Sequence, residues 1–304
     1  MPSPDPVRTS PAHQVSPWHS LTPADFVAFT LCAVLSLLLP QIGRANDLIR
    51  DLPATEFANT ARLAIVVDDV GYSLRRAEEL LALPKALTLG MLPYAPHALE
   101  IAERAHASGR EIILHQPMEP VAANRMEPGT LALDMSPERF DAQFEAALER
   151  LPNVTGVNNH TGSLLTAHRL PMEQLMAGIA RRGLFFLDSR TTPHTVAEST
   201  ARANDVPTIR RDVFLDHVRT DAHLEAAFQR SLSIARRQGQ AVVIAHPYPI
   251  TVAFLEEKLA SLPEDVVLTT LSELVAPREP LRRTGRGGIA LLGSPASPSI
   301  SLGQ

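Results

Sequence analysis

Two carboxylates stand side by side where an apolar run ends, in "LAIVVDDVGY", residues Leu63 to Tyr72. Adjacent negative charges at the end of a buried strand repel unless a cation or a proton sits between them. Asp68 and Asp69 therefore ask for a positive partner. Other apolar runs along the chain also close on ionisable or polar residues: Tyr94, His115, His160 just past "VTGVNN", Asp188, Asp216 and His246. Each alone is ordinary, since a single histidine at a strand end is more often structural than a ligand. Asp188 could pair with Arg190, and Asp216 with Arg210 or Arg211. Together, three histidines and several carboxylates are the donors of a divalent metal site of His/Asp type. Six others, His97, His106, His168, His194, His217 and His223, fall in helical or loop text and read as solvent-facing.

The elements that must bring these residues together alternate. Strand-like runs occupy 63–67, 86–92, 111–115, 154–158, 184–188, 206–216, 241–246 and 266–271. Between them lie amphipathic stretches with legible ends. Ser136 and Pro137 open one helix as N-cap and first residue, and another runs from Asp221 to a closing Gly239. Alternating strands and helices imply parallel βαβ units, and about seven of them point to an α/β barrel rather than an open sheet. In either architecture chemistry belongs at the C-terminal ends of the strands, which is where the ionisable residues recur.

The 304-residue chain carries a net charge of −5 and has no central Lys/Arg block, which argues against nucleic acid as partner. Its single cysteine, Cys32, excludes an internal disulfide and a cysteine-based zinc site. Cys32 lies within the apolar stretch 26–39, short for a bilayer span but the length of a signal-peptide core. Residues 1–45 are thus expected to hold a disordered Pro/Ser-rich start plus a signal peptide, or alternatively a membrane anchor through 26–39. Residues 46–62 read as a linker, 63–276 as the barrel and 277–304 as a disordered tail. The expected location is the periplasm or cell envelope.

In order along the chain, "VVDDVGY", "ILHQPMEP", "GVNNHTGSLLT", "FFLDSRTT", "RRDVFLD" and "IAHPYPIT" resemble the divergent polysaccharide deacetylase family, relatives of the NodB-like carbohydrate esterases. The resemblance spans Leu63 to Val275 and implies a distorted (β/α) barrel, a divalent metal with zinc foremost, and hydrolysis of an N-acetyl group on a sugar. It makes Asp68 the general base, Asp69 a metal ligand, His115 the first motif histidine and His246 the acid that protonates the leaving amine. The second motif histidine is replaced by Glu119. Either Glu119 supplies an oxygen ligand or His160 completes the set; His160 is preferred, because it follows its strand directly and nitrogen suits zinc. Asp188 and Asp216 are assigned to positioning His246 or substrate hydroxyls, Arg190 to binding a carbonyl or carboxylate, and Asn158 and Asn159 to holding their loop.

The resulting expectation is an exported metal-dependent hydrolase that deacetylates an envelope glycan. The main alternative, prompted by Glu119, is a glycan-binding protein that kept the barrel without the chemistry. A phosphodiesterase would want more basic residues at the mouth than Arg190, Arg210 and Arg211.

Overall fold

The computed structural model describes residues 60–122 and 126–276. The apolar stretch 26–39, the expected leader and the expected tail lie outside them. Among the described residues no helix is long and apolar enough to cross a membrane.

Within the described residues nine strands, all parallel, form one sheet: β1 (Ala61–Val70), β2 (Thr88–Met91), β3 (Ile112–Met118), β4 (Gly156–Thr161), β5 (Phe185–Asp188), β6 (Thr208–Arg210), β7 (Val213–Phe214), β8 (Gln240–Ala245) and β9 (Val266–Leu268). Their order is β6-β5-β4-β3-β2-β1-β8-β7, with β9 pairing the start of β1. Interleaved are helices α1 (Leu74–Ala82), α2 (Ala98–Ala107), α3 (Pro137–Glu149), α4 (Arg169–Arg181), α5 (Ala197–Ala203), α6 (Asp221–Gln238), α7 (Pro249–Leu259) and α8 (Leu271–Val275). Ser136 caps α3 through its side chain, and α6 ends on Gly239 in the left-handed region (φ 80°), as expected from the sequence. This is the expected distorted (β/α) barrel of parallel strands. The sheet starts two residues earlier than expected, because Ala61 and Arg62 already pair with β9, and Arg62 also with β8.

The run 206–216 is not one strand. Its first part, β6, pairs β5 at one sheet edge, and its second, β7, pairs β8 at the other. Arg211 and Asp212 cross the gap: Arg211 N donates to Asp188 O (3.0 Å), and Asp212 N donates to Val242 O (2.9 Å). A covalent dipeptide thus joins two edges that never hydrogen-bond as strands.

Side-chain parity sorts the core into two clusters. Leu63, Ile65 and Val67 of β1 pack into the large layer between sheet and helices. Ala64 and Val66 point into the barrel, joining Ile113, Phe185, Leu187, Val242 and Ile244. Leu271 and Leu274 of α8 plug this inner cluster from below. Glu111 holds the plug. Its carboxylate accepts from Leu271 N (2.8 Å) and Ser272 N (3.0 Å) at the start of α8, and from the Thr88 hydroxyl (2.7 Å).

Candidate metal centre

Inward parity carries His115 of β3, Asn158 and His160 of β4, and Asp68 of β1 to the upper end of the barrel. Asp69 has the wrong parity and would face the helices on a regular strand. A bulge corrects this. Between Val67 and Val70 the pairing with β2 slips, three steps on β1 matching two on β2. Asp69 sits in the bulge with φ 57°, a left-handed conformation that aspartate tolerates better than most residues. Both carboxylates therefore reach the same mouth. Gly90 of β2 makes the room, since a Cβ there would lie 2.0 Å from Asp68 Oδ1.

Asp69, His115 and His160 offer donor atoms that all lie within 4.8 Å of one another. His160 Nδ1 is 2.9 Å and His115 Nε2 3.3 Å from Asp69 Oδ1, and the two nitrogens are 3.1 Å apart. Adjacent ligands around a tetrahedral ion with bonds of about 2.1 Å stand roughly 3.4 Å apart, so the triangle has the dimensions of one face of such a shell.

The proton positions sharpen the fit. When ionised, Asp68 only accepts, so Asn158 turns its Nδ2 toward it, at 3.0 and 2.9 Å from the two oxygens. That leaves Asn158 Oδ1 facing His115 Nδ1 at 2.8 Å. His115 therefore carries a proton on Nδ1, and once the Nε2 proton leaves it presents a bare Nε2 to the triangle, the usual way a neighbour sets the tautomer of a ligating histidine. Although two imidazole nitrogens stand at ion-pair distance from it, Asp69 Oδ1 is buried without a directed hydrogen bond. Electron-rich atoms this close need a positive charge among them, from a proton on an imidazole or from a metal ion, and the donor set suits a divalent metal.

Charge follows the same geometry. Burial raises the proton affinity of Asp68, against the opposing pull of His115, His246 and the Asn158 bond. Burial also acts to raise that of Asp69, but the contacts from His115 and His160 outweigh it and hold the group ionised. Burial would lower His115, yet Asp68 and Asp69 push it up to about 8. Across the mouth, Asp216 fixes His246 by accepting from His246 N (2.6 Å) and facing His246 Nδ1 at 3.0 Å. Thr251 Oγ1 steadies the same carboxylate at 3.0 Å. The other nitrogen, His246 Nε2, lies 3.9 Å from Asp69 Oδ2. Burial tends to lower His246, but the Asp216 bond and the Asp68 charge raise it overall.

A cavity of about 450 Å³ opens above the triangle. It is lined by Asp68, His115 and His246 together with Arg190, Arg211 and Phe214. Two candidate residues do not reach it. The Glu119 carboxylate turns away to accept from Leu133 N (2.8 Å). Asp188 shares the outward parity of Phe186, is fully buried, and accepts from Arg190 N (2.8 Å) and Thr195 Oγ1 (3.0 Å). It pins the loop after β5 instead of touching His246. Asn159 holds the same loop, accepting from Ser189 N (2.9 Å). Asn158, read as a loop residue, instead joins Asp68 to His115. Gly90, Phe214 and His217 also belong to this region. Of these, only a glycine inside the strand text "ALTLGML" signalled a close approach.

The chain belongs to the divergent polysaccharide deacetylase family, which it matches over residues 65–275. It is 38% identical to the uncharacterized protein YibQ of Escherichia coli strain K12 over 214 residues, 70% of this chain and 67% of that one. An uncharacterized protein of Haemophilus influenzae is 37% identical over 214 residues, 70% of this chain and 76% of its own. Among solved structures, an uncharacterized protein from Agrobacterium tumefaciens C58 superposes with a TM-score of 0.68 at 26% identity. That match covers 72% of this chain and 91% of that one.

Proposed function

We propose that this chain is an exported, divalent-metal-dependent hydrolase that removes N-acetyl groups from an envelope polysaccharide, with zinc as the metal. The observation that carries the reading is the Asp69–His115–His160 triangle set directly against a second, buried carboxylate. Asp69, His115 and His160 would hold the ion. When bound it would supply Lewis acidity, polarising an amide carbonyl and acidifying water. Asp68, with its proton affinity raised by burial and its oxygens held by Asn158, takes the proton from the attacking water. His246, kept in line by Asp216 and biased toward its protonated form, returns a proton to the departing amine. Cleavage of the acetamide bond leaves acetate and a free amino group on the sugar. The location rests on the apolar stretch 26–39.

The test pairs metal content of the purified full chain with acetate release from acetylated glycans. Bound zinc with acetate release is expected. Metal without turnover on any acetylated glycan would refute the enzyme and favour the glycan-binding alternative. Cell fractionation tests export; a cytoplasmic protein with an intact N-terminus would refute it.

A further inference from the structure

The cavity that holds the metal triangle is also lined by two guanidinium groups, Arg190 and Arg211. Among the described residues neither has a carboxylate within ion-pair distance, whereas the neighbouring Arg210 and Arg202 both engage Glu198. Arg211 uses two of its five donors on the loop, Nε to Ser189 O (2.7 Å) and Nη2 to Arg190 O (2.9 Å). The others remain available.

Arg190 occupies the left-handed region with φ 50°, which is unfavourable for a bulky side chain and natural for glycine. The turn is nevertheless held firmly. Buried Asp188 accepts from Arg190 N, buried Asn159 accepts from Ser189 N, and Arg211 clamps both carbonyls. Several side chains therefore keep an arginine in a conformation that glycine would adopt without strain. Strain maintained in this way at a cavity rim points to a task for the side chain.

We propose that Arg190, backed by Arg211, forms an oxyanion subsite, so that the glycan unit entering this cavity carries a carboxylate or phosphate near its acetamido group. A planar guanidinium fork matches both anions. The subsite rests on the glycan reading of the cavity but not on turnover.

Binding to the zinc-loaded full chain tests it. The probes are N-acetylglucosamine, N-acetylmuramic acid (the same sugar with a lactyl carboxylate) and N-acetylglucosamine 6-phosphate. Calorimetry should show one or both acidic sugars binding about 10–100-fold more tightly than the neutral one, the range of a charge-assisted contact. Which acidic probe gains more identifies the anion. Arg190→Gly should remove that preference, leave neutral-sugar affinity within about twofold, and keep the melting temperature at or above wild type because strain is relieved. Arg190→Lys should retain part of the preference. Equal binding of neutral and acidic sugars, no binding of any probe at millimolar concentration, or an equal loss for all three in Arg190→Gly would overturn the subsite. Retained preference without acetate release would support the subsite while refuting the hydrolase.

Discussion

Gly90→Ala puts one methyl group where the fold leaves no space for it. The new carbon would lie 2.0 Å from Asp68 Oδ1, 3.1 Å from its Cγ and 3.2 Å from its Cα. Carbon and oxygen settle no closer than about 3.3 Å, so the carboxylate oxygen must retreat by roughly 1.3 Å. The main chain at Asp68 is held in the sheet and gives little. Its side chain must therefore swing away from Asn158, losing the 3.0 and 2.9 Å approaches of Nδ2. Loss of a charge-assisted hydrogen bond costs about 1.5–3 kcal/mol and overpacking about 1–3 kcal/mol. Against these stands the gain of about 0.5–1 kcal/mol from replacing a strand glycine. Net destabilisation should be about 1.5–5.5 kcal/mol, read by chemical denaturation. Turnover should fall about 100-fold for a base misplaced by roughly 1 Å, and further if proton transfer fails. Zinc content should persist, because the atoms nearest the new carbon all belong to Asp68 and none to Asp69, His115 or His160. A variant as stable and active as wild type would refute this packing argument, and one that loses zinc first would show that Asp68 is a ligand instead of a base.

Asp68→Asn should keep zinc and lose about 100-fold or more of acetate release, while Asp69→Asn and His115→Ala should lower zinc affinity steeply; metal analysis after dialysis separates them, and the reverse pattern would exchange the two aspartates' roles. Asp216→Asn removes the charge and weakens the bond that raise His246, so the alkaline limb of the rate profile, where His246 loses its proton, should move to lower pH; an unmoved limb would deny His246 the role of acid. Glu111→Ala strips the α8 plug of its two amide bonds and should destabilise the fold by about 2–4 kcal/mol without changing zinc affinity. Thermal unfolding within about 0.5 kcal/mol of wild type would contradict that assignment.

Much of this was legible in the sequence. Apolar runs alternating with capped amphipathic helices specify parallel units, and parallel units send every strand's C-terminal end to one side. The convergence of Asp68, His115, His160 and His246 follows from that rule. Which neighbouring residue turns inward does not, because it depends on strand parity and bulges. Asp188 and Asp216 look alike in the text, each closing an apolar run with an arginine nearby. Parity separates them: Asp188 follows Phe186 outward to pin a loop, while Asp216 follows Phe214 inward to hold His246. Asp69 reaches the mouth only through a bulge set by its pairing with β2, a partner outside its own local sequence. The run 206–216 splits for the same reason, since its halves answer to opposite edges of the sheet. Composition, spacing and periodicity thus determined the strands, the helices and the set of chemical groups at one end. The facing of each group and the closing of the barrel were decided by non-local strand pairing, which only the folded chain expresses.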